Sequence, residues 1–598
     1  MELNKNDGKK IASSISFHML KFENDFHDEF EIVINGDYML LRFSGGNYKA
    51  FESFQLDLKP LTILLGANSC GKSAILNSFL MLAQSIETSS RTETPFRLNG
   101  NRVGMGESLN IIKDKDSENI LSFAFEFDDQ TSIKSQIDAA KRECVETHFA
   151  FSRYIFQSLR RNKFLYDKVF PLLNELEESY YSHDSFNNRQ LKKISSKICS
   201  IIRIYRANKD DITVRTKLIH SKVLSDFLDN VSYQRINDCL NGVLTVPLSK
   251  LAAQKISFKF LYNKRKDYLH IVEAKLTNKI DEVILCVKIE RQNEIELSSD
   301  IINNDILRRS KNDIKNFIDF NSLIVFNNDS GVRSSPGSYF SESINPVAVY
   351  FSKVLAASFK ELKKSFHGVN INHVSPLRAL PQRYYLLDKA IYHNQLNALD
   401  GTELAEVLKN NEHIKDSINE LLSEFNIAVE VEKVNDIIHK ITVNQDAVNL
   451  ELTDVGFGIS QVLPILVQAY LSPAYSITII EQPEIHLHPK MQAWLTDALI
   501  KIALTSFKKF VIETHSDALV RRLRLRIVDE DNPLTEQDLA MYYLERDKLG
   551  NKTNIRRIPV SPDGDITWPS EFMDVEISDT LLIQQKKLER MLNDKGSK

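Results

Sequence analysis

Cysteine is scarce in this chain. The five in 598 residues, Cys70, Cys144, Cys199, Cys239 and Cys286, are scattered, odd in number and without a CxxC pair. That argues against a disulfide framework or a zinc site and suits a reducing, cytoplasmic setting. Excess charge is scarce too. Lys and Arg number 76 against 80 Asp and Glu, a formal net charge of −4, so contact with nucleic acid or anionic lipid would need a local patch. No long apolar run exists either. The most apolar stretch, Val462 to Ile480, contains Pro464, Gln468, Pro473 and Ser476 and runs into Glu481, which excludes a bilayer span and leaves no membrane partner. The opening MELNKNDGKK has no apolar segment behind its charges and reads as no signal peptide. There is no 20–50-residue repeat and no sustained heptad, so solenoids and long coiled-coil arms are not expected.

What is present is an ordinary globular mixture, 42 % apolar and 26 % charged, long enough for several domains. Residues 30–130 alternate apolar and polar positions, as in Phe30-Glu-Ile-Val-Ile, Tyr38-Met-Leu-Leu-Arg-Phe and Phe54-Gln-Leu-Asp-Leu, which predicts strands. From about 140 to 250 the period becomes helical. Residues 151–220 hold 14 Lys/Arg and 7 Asp/Glu, with Phe151, Tyr154, Phe156, Phe164 and Tyr166 interleaved, a candidate nucleic-acid or partner surface whose plainer reading is a solvated helical face. Strand-like alternation returns at Ile256, Tyr268, Val283 and Glu294. Residues 327–345 read as a loop, and helices are expected at Val347–Lys364 and Glu403–Phe425. The expected divisions are 1–135, 136–250 (basic helical insertion), 251–345 (antiparallel strands and loop) and 346–598.

The apolar strand Leu61-Thr-Ile-Leu-Leu runs into Gly66-x-x-x-x-Gly71-Lys72-Ser73, and a helical pattern follows at once. This is a full Walker A loop in its required strand–loop–helix context. Its glycines let successive N–H groups of Gly66, Asn68, Ser69, Cys70 and Gly71 face the phosphates; Lys72 supplies a point charge and Ser73 a hydroxyl for Mg²⁺. Cys70 reads as a small loop residue. Gln84 lies only eleven residues beyond Ser73, on the same helix, and is not assigned as a Q-loop.

A second apolar strand, Ser476-Ile-Thr-Ile-Ile, ends in Glu481-Gln482-Pro483-Glu484-Ile-His486-Leu-His488-Pro489, a Walker B arrangement in which a carboxylate at the strand's end holds Mg²⁺ and a second polarises water. Glu481 is the metal-side candidate. A third, Phe510-Val-Ile-Glu513-Thr514-His515-Ser516-Asp517, brings His515 within reach of a γ-phosphate. Between Walker A and Walker B, Gly456-x-Gly458-x-Ser460-Gln461 leads into a helix and forms a second anion-binding turn. Gln482 stands where a base is expected. A neutral amide orients water without accepting its proton, so either Glu484 takes that role or turnover is slow.

On these motifs the chain resembles the ABC/SMC-type ATPases, and among them the prokaryotic ATPases related to the ATPase half of overcoming-lysogenisation-defect proteins and to Septu-type and retron-associated antiphage defence ATPases. Asp454-Val-Gly-Phe-Gly-Ile-Ser-Gln stands where that group has its signature, Glu481-Gln-Pro-Glu-Ile-His-Leu-His-Pro resembles its Walker B run, and Glu513-Thr-His-Ser-Asp its switch histidine. Pro376-Leu-Arg378-Ala-Leu-Pro381 and Asp563-Gly-Asp-Ile-Thr-Trp568-Pro569-x-x-Phe572 are similar to secondary landmarks of one subgroup. The resemblance covers about 37–130 and 370–575. It implies an α/β fold, an ABC-type P-loop ATPase head with a mixed sheet flanked by helices, an antiparallel β subdomain and a large, mainly helical insertion. It also implies ATP and Mg²⁺ as ligands, and a homodimer or higher homo-oligomer in which Gly456, Gly458, Ser460 and Gln461 of one copy cap the nucleotide on the Walker A loop of another. The expected function is a nucleotide-gated switch in a defence system, controlling a separate effector protein such as a nuclease or toxin.

Other readings are a DNA-binding repair or tethering ATPase acting through 151–220, an ATP-dependent nuclease and a transporter ATPase. The 83 residues after His515 are short for a Toprim nuclease domain, and Asp563-Gly-Asp565 reads as a turn. More than 380 residues separate Walker A from the signature, unlike a compact transporter subunit.

Overall fold

The computed structural model describes residues 40–567 and 582–588, apart from 89–92, 129–130, 159–161, 182–186, 209–220, 291–293, 326–338, 341–342, 379, 387–395, 397–402, 447, 548–549 and 551. The expected strand at Phe30, most of the 327–345 loop, Trp568, Pro569 and Phe572 lie outside the described residues.

The chain runs through β1 (Leu40–Tyr48), β2 (Phe51–Asp57), β3 (Leu61–Gly66), helix α1 (Lys72–Glu87) and β4 (Leu121–Phe127). Helices α2 (Thr131–Ser158), α3 (Lys163–Tyr181), α4 (Asn188–Ala207) and α5 (Ser221–Asn230) precede β5 (Lys255–Asn263), β6 (Tyr268–Thr277), β7 (Val283–Ile289) and β8 (Ile295–Ser298). Next come α6 (Asn304–Lys315), α7 (Pro346–Phe366), β9 (Ile371–Val374), β10 (Tyr385–Leu386), α8 (Leu404–Asn410), α9 (Glu412–Leu422), β11 (Ile427–Lys433), β12 (Ile438–Gln445) and β13 (Val448–Glu451). The last part alternates: α10 (Phe457–Leu471), β14 (Ile477–Glu481), α11 (Pro489–Thr505), β15 (Lys509–Glu513), α12 (Asp517–Val528), β16 (Leu539–Arg546) and β17 (Thr553–Ile558).

Three sheets result. The first, in order β2-β1-β4-β5-β6-β7-β8, is antiparallel throughout. Its strands alternate as one-face-buried strands should: β4, Leu-Ser-Phe-Ala-Phe-Glu-Phe, buries every second residue. Strands β5–β8 therefore complete the sheet that β1, β2 and β4 begin, and α2–α5 form an insertion into it. A small sheet of β10, β11, β12 and β13 covers α9. The third sheet, β17-β16-β3-β15-β14-β9, is parallel except at β17. Its central strands are buried on both faces, and β3 and β15 have no exposed residue, as expected of a parallel sheet covered by helices.

Helix α1 lies between the first and third sheets and is buried nearly all round, with Ile75, Leu76, Phe79, Leu80, Leu82 and Ile86 in the core. Phe79 meets Phe43 of the antiparallel sheet at 4.7 Å between ring centroids and Phe366 of α7 at 6.3 Å. An aromatic core of this kind fixes where the N-terminus of α1 points. Among the described residues no helix is long and apolar enough to cross a membrane.

Candidate functional site

Strand order brings the three chemistry-bearing segments together. β15 lies between β3 and β14, all parallel, so the ends of the Walker A, switch and Walker B strands share one edge, where open α/β sheets bind ligands. In the β14–β15 register Glu481 stands opposite Glu513.

The Walker A loop is built for close backbone approach. Gly66 has φ 144° and a Cβ there would lie 2.3 Å from the Leu544 carbonyl oxygen; Gly71 has φ 100°, with the Phe51 ring 2.9 Å from a Cβ. No side chain caps α1, so the N–H groups of its first turn are left for an anion. Ala67, Asn68 and Ser69 are exposed and Cys70 is buried. Burial pushes the Cys70 thiol up despite nearby Lys72, which fits a small loop residue. Lys72 is 3 % exposed. Its Nζ donates to the carbonyls of Gly66 and Ala67, 3.0 Å each, and lies 3.7 Å from Glu513 Oε1. The Ser73 hydroxyl donates to Glu513 Oε2 at 3.2 Å.

Glu513 is thus the carboxylate in contact with both functional residues of the loop. Burial pushes its carboxyl up; Lys72 opposes this and Glu481 adds to it. Glu481 engages elsewhere, 2.7 Å from His373 Nε2 on β9. Gln482 takes a left-handed φ of 45°, and its N–H donates to the Glu513 carbonyl at 2.7 Å. Both Glu484 oxygens are occupied: Oε2 accepts from the Thr514 hydroxyl and Oε1 from the His515 N–H, 2.7 Å each. The Walker B turn is therefore fastened to the switch segment at two points. The His515 imidazole is held below its ordinary pKa by burial and by Lys72, against Glu484. His488 caps α11 through Nδ1, accepting from the Lys490 N–H at 3.2 Å.

The donor set suits magnesium nucleotide. Mg²⁺ is held through one or two carboxylates and phosphates rather than an all-protein cage, and the Ser73 hydroxyl with Glu513 and Glu481 at adjacent strand ends is such a set. The two glycines that admit no Cβ provide the phosphate cradle.

Residues 46–520 match the AAA ATPase domain family. The chain belongs to that family and is an ATPase. Solved structures similar to it include the SMC head domain from Thermotoga maritima, at 8 % identity over 88 % of this chain and 99 % of that one with a TM-score of 0.30. The SmcHead bound to the C-winged helix domain of ScpA gives 8 % identity, 87 % and 98 % coverage and 0.33. The Smc head domain with an extended coiled coil, bound to the C-terminal domain of ScpA derived from Pyrococcus furiosus, gives 8 %, 92 % and 100 %, and 0.30. Superpositions this loose carry no argument, and the fold is read from the strand order and the family. No curated protein matches the sequence.

The ATPase places its signature turn differently from the other motifs. Gly456 is exposed at the uncapped N-terminus of α10, and Gly458 is half-buried in the first turn. Ser460 and Gln461 are each 3 % exposed, so their side chains are buried rather than presented at the surface of the turn. Gln84 is a buried brace: it donates to the Arg97 and Val103 carbonyls and accepts from the Val103 N–H.

Part of the charge of two basic features is paired within the described residues. Arg522 and Arg526 of α12 both bind Asp497 of α11. Burial pushes the Asp497 carboxyl up, but the two guanidinium groups win and hold it below its usual value. Arg521 pairs with Asp517, and Arg524 donates to the Gly564 carbonyl at 2.7 Å. In 151–220, Phe151 is buried, and Phe156, Tyr166 and Phe170 pack on one another. Arg153 pairs with Glu177 and Lys197 with Glu175. Lys192 and Lys193 are exposed on α4 opposite buried Leu191, Ile194 and Ile198; Arg160, Arg161 and 209–220 lie outside the described residues.

Residues to which the motifs gave no role are Glu513, His373 and Arg378. The signal for Glu513 was in the sequence: two apolar strands both ending in glutamate, which parallel pairing sets side by side. His373 carries no such signal, because β9 has only four residues and its pairing with β14 is remote in sequence; Arg378 stands in the Pro376–Pro381 landmark, which gave it no role.

Proposed function

We propose that the ATPase is a nucleotide-gated switch. Mg²⁺-ATP binds the Walker A loop, and the Gly456–Gly458 turn of a second copy closes over its terminal phosphate, giving a homodimer or higher homo-oligomer. The observation that carries this is the contrast between two glycine pairs. Gly66 and Gly71 are demanded by the fold of their own loop. Gly456 has φ −52° and ψ 146° and open space around a Cβ, and at Gly458 the nearest atom, Leu487 Cδ2, is 3.9 Å away. Among the described residues nothing gives a steric reason for glycine there. Close approach of something outside the chain does, at a helix N-terminus that favours an anion.

Turnover is slow in this reading. Gln482 cannot accept a proton, and both Glu484 oxygens are engaged by Thr514 and His515, so neither is free to activate water. ATP then acts mainly as a conformational ligand whose binding, more than its hydrolysis, sets the state. The cellular setting, a cytoplasmic antiphage defence system with a separate effector, is supported by the motif-level resemblance of Asp454–Gln461, Glu481–Pro489 and Glu513–Asp517.

Light scattering of the full chain with and without Mg²⁺-ATP tests the switch. The expected mass at least doubles on ATP addition, and Lys72→Ala stays at the nucleotide-free mass. A wild-type protein that binds ATP with no change in mass would overturn the shared-nucleotide reading.

A further inference from the structure

Beyond β9 the chain turns and lays Arg378 across the end of β14. Its side chain is 7 % exposed. Nη2 donates to the carbonyls of Glu481 at 3.1 Å and Gln482 at 3.0 Å. Nε and Nη1 are buried and have no hydrogen-bond partner. Burial pushes the guanidinium down to about 10, with the Glu484 charge acting against it. Glu484 does not satisfy the two nitrogens, because its oxygens are taken by Thr514 and His515.

A buried guanidinium that spends one nitrogen on two carbonyls and leaves two nitrogens unpaired is costly unless an anion completes it. With Nη2 spent on the carbonyls, the two unpaired nitrogens point to opposite sides of the guanidinium, so each has room for one oxygen of a phosphate or carboxylate. Its surroundings indicate which. The Gln482 turn that Arg378 grips donates to the Glu513 carbonyl, and the Glu513 side chain binds Ser73 and Lys72. Arg378 is therefore linked to the Walker A loop through the end of β14 and Glu513.

We propose that Arg378 is a phosphate-binding residue of the ATP site: it holds the Glu481–Gln482 turn through Nη2 and offers an unpaired nitrogen to the terminal phosphate of ATP. This rests on the nucleotide-switch reading and adds a residue that distinguishes ATP from ADP, since ADP lacks the group it binds.

The test uses the full chain with fluorescent ATP and ADP analogues in Mg²⁺, comparing wild type, Arg378→Met and Arg378→Lys, with a thermal melt of each. A charge-assisted hydrogen-bonded contact is worth about 1.5–3 kcal/mol, so Arg378→Met should weaken ATP roughly 10–100-fold while ADP changes less than about threefold. Turnover at saturating ATP should fall as well, and the melt confirms that each variant is folded, since removal of an unpaired buried cation is set against two carbonyls left without Nη2. Equal loss of ATP and ADP, or no loss of either, overturns the proposal. Should Arg378→Met fail to fold, Arg378→Lys still decides: a compact ammonium lacks the reach and planar spread of the guanidinium, so the ATP-over-ADP preference should shrink, and an unchanged preference overturns it. If ATP affinity holds but inhibition by added inorganic phosphate disappears, the anion is the released product and the assignment to bound ATP is wrong. A wild type that prefers ATP but never associates would remove the dimer reading and leave this one standing.

Discussion

Two glycine pairs should respond to alanine with opposite signs in folding and in function. At Gly66, a methyl group would sit 2.3 Å from the Leu544 carbonyl oxygen and 2.9 Å from Cys70 Sγ, at a φ of 144°; at Gly71, 2.9 Å from the Phe51 ring at a φ of 100°. Backbone in these regions costs a non-glycine residue about 1–3 kcal/mol, and the carbonyl of β16 cannot move without disturbing its pairing. Gly66→Ala and Gly71→Ala should each lower stability by at least that much, even without nucleotide. Gly456→Ala and Gly458→Ala meet ordinary φ values and no close atom. Restricting the unfolded chain gains about 0.4–1 kcal/mol at each compatible site, and the loss of a glycine N-cap at Gly456 costs a few tenths to about 1 kcal/mol. The double variant should therefore melt within about 1 kcal/mol of wild type. It should nonetheless lose ATP-driven association, because two methyl groups now stand where a phosphate must approach the backbone, while each copy still binds ATP through its own Walker A loop. Thermal melts without nucleotide, fluorescent-ATP titration and light scattering with Mg²⁺-ATP separate these effects. A double variant that still associates as wild type does would show that the turn faces no phosphate. One that unfolds would show that the space around these glycines is not open.

Three further outcomes are expected. Gln482→Glu places a proton acceptor at the water side and should raise ATP turnover by tenfold or more, while Glu484→Gln breaks the clamp on Thr514 and His515 and should lower it; if steady-state rates move in neither, the water-side assignment fails. Glu513→Gln removes the carboxylate that touches Ser73 and Lys72 and should raise the Mg²⁺ concentration needed for half-maximal ATP binding about tenfold, with Mg²⁺-free binding changed much less; an unchanged Mg²⁺ titration would return the metal role to Glu481 alone. Lys509 is buried in the central sheet, its amine pushed down to about 7 from 10.5 by burial, donating to the Leu40 carbonyl at 2.8 Å. The unfolded chain binds that proton up to about pH 10.5 and the folded chain only to about 7, so stability should rise with pH across this window, and near pH 7 the penalty is on the order of 4 kcal/mol. Lys509→Met should stabilise the protein by about 2 kcal/mol at pH 7, after about 2 kcal/mol for the orphaned carbonyl, and the gain should vanish by pH 10; urea melts at both pH values check it.

Much of the central sheet could be read from residues alone because its strands announce themselves. Leu61–Leu65, Ser476–Ile480 and Phe510–Ile512 are short apolar runs followed by loops with chemistry in them, and α1 appears at residues 72–87 where the period predicts Ser73–Ser85. The antiparallel strands at Ile256, Tyr268 and Val283 were also legible. What was not legible is which sheet they join: Phe125 pairs with Ile256 across the helical insertion, and alternation marks a strand without naming its neighbour. The helix expected over Glu403–Phe425 breaks at Asn411, which leaves helical φ/ψ (−125°, 75°) and donates its side-chain amide to the Val407 carbonyl. Asparagine competes for backbone groups in this way. In the site, spacing found every motif but not the side-chain partners: that Glu484 is spent on Thr514 and His515, and that Ser460 and Gln461 point inward, depends on the tertiary packing of α10 and of the strand ends.

Those partners explain how phosphate binding could be felt beyond the loop. Lys72 now satisfies its ammonium on two carbonyls of its own loop and on Glu513. A phosphate at the α1 N-terminus competes for that ammonium, and to the extent that Lys72 turns toward it, Glu513 loses its counter-charge. Glu513 is buried, with its carboxyl already pushed up, so it must then take a proton, gain a cation beside Ser73, or shift. Any shift carries the Glu513 backbone, whose carbonyl holds the Gln482 N–H, and the neighbouring Thr514 and His515, which hold Glu484. The end of β14 is therefore coupled to the position of the Walker A lysine through hydrogen bonds of 2.7 Å. A switch needs such a linkage more than it needs a fast catalytic base, which is the physical reason a glutamine at position 482 suits this ATPase.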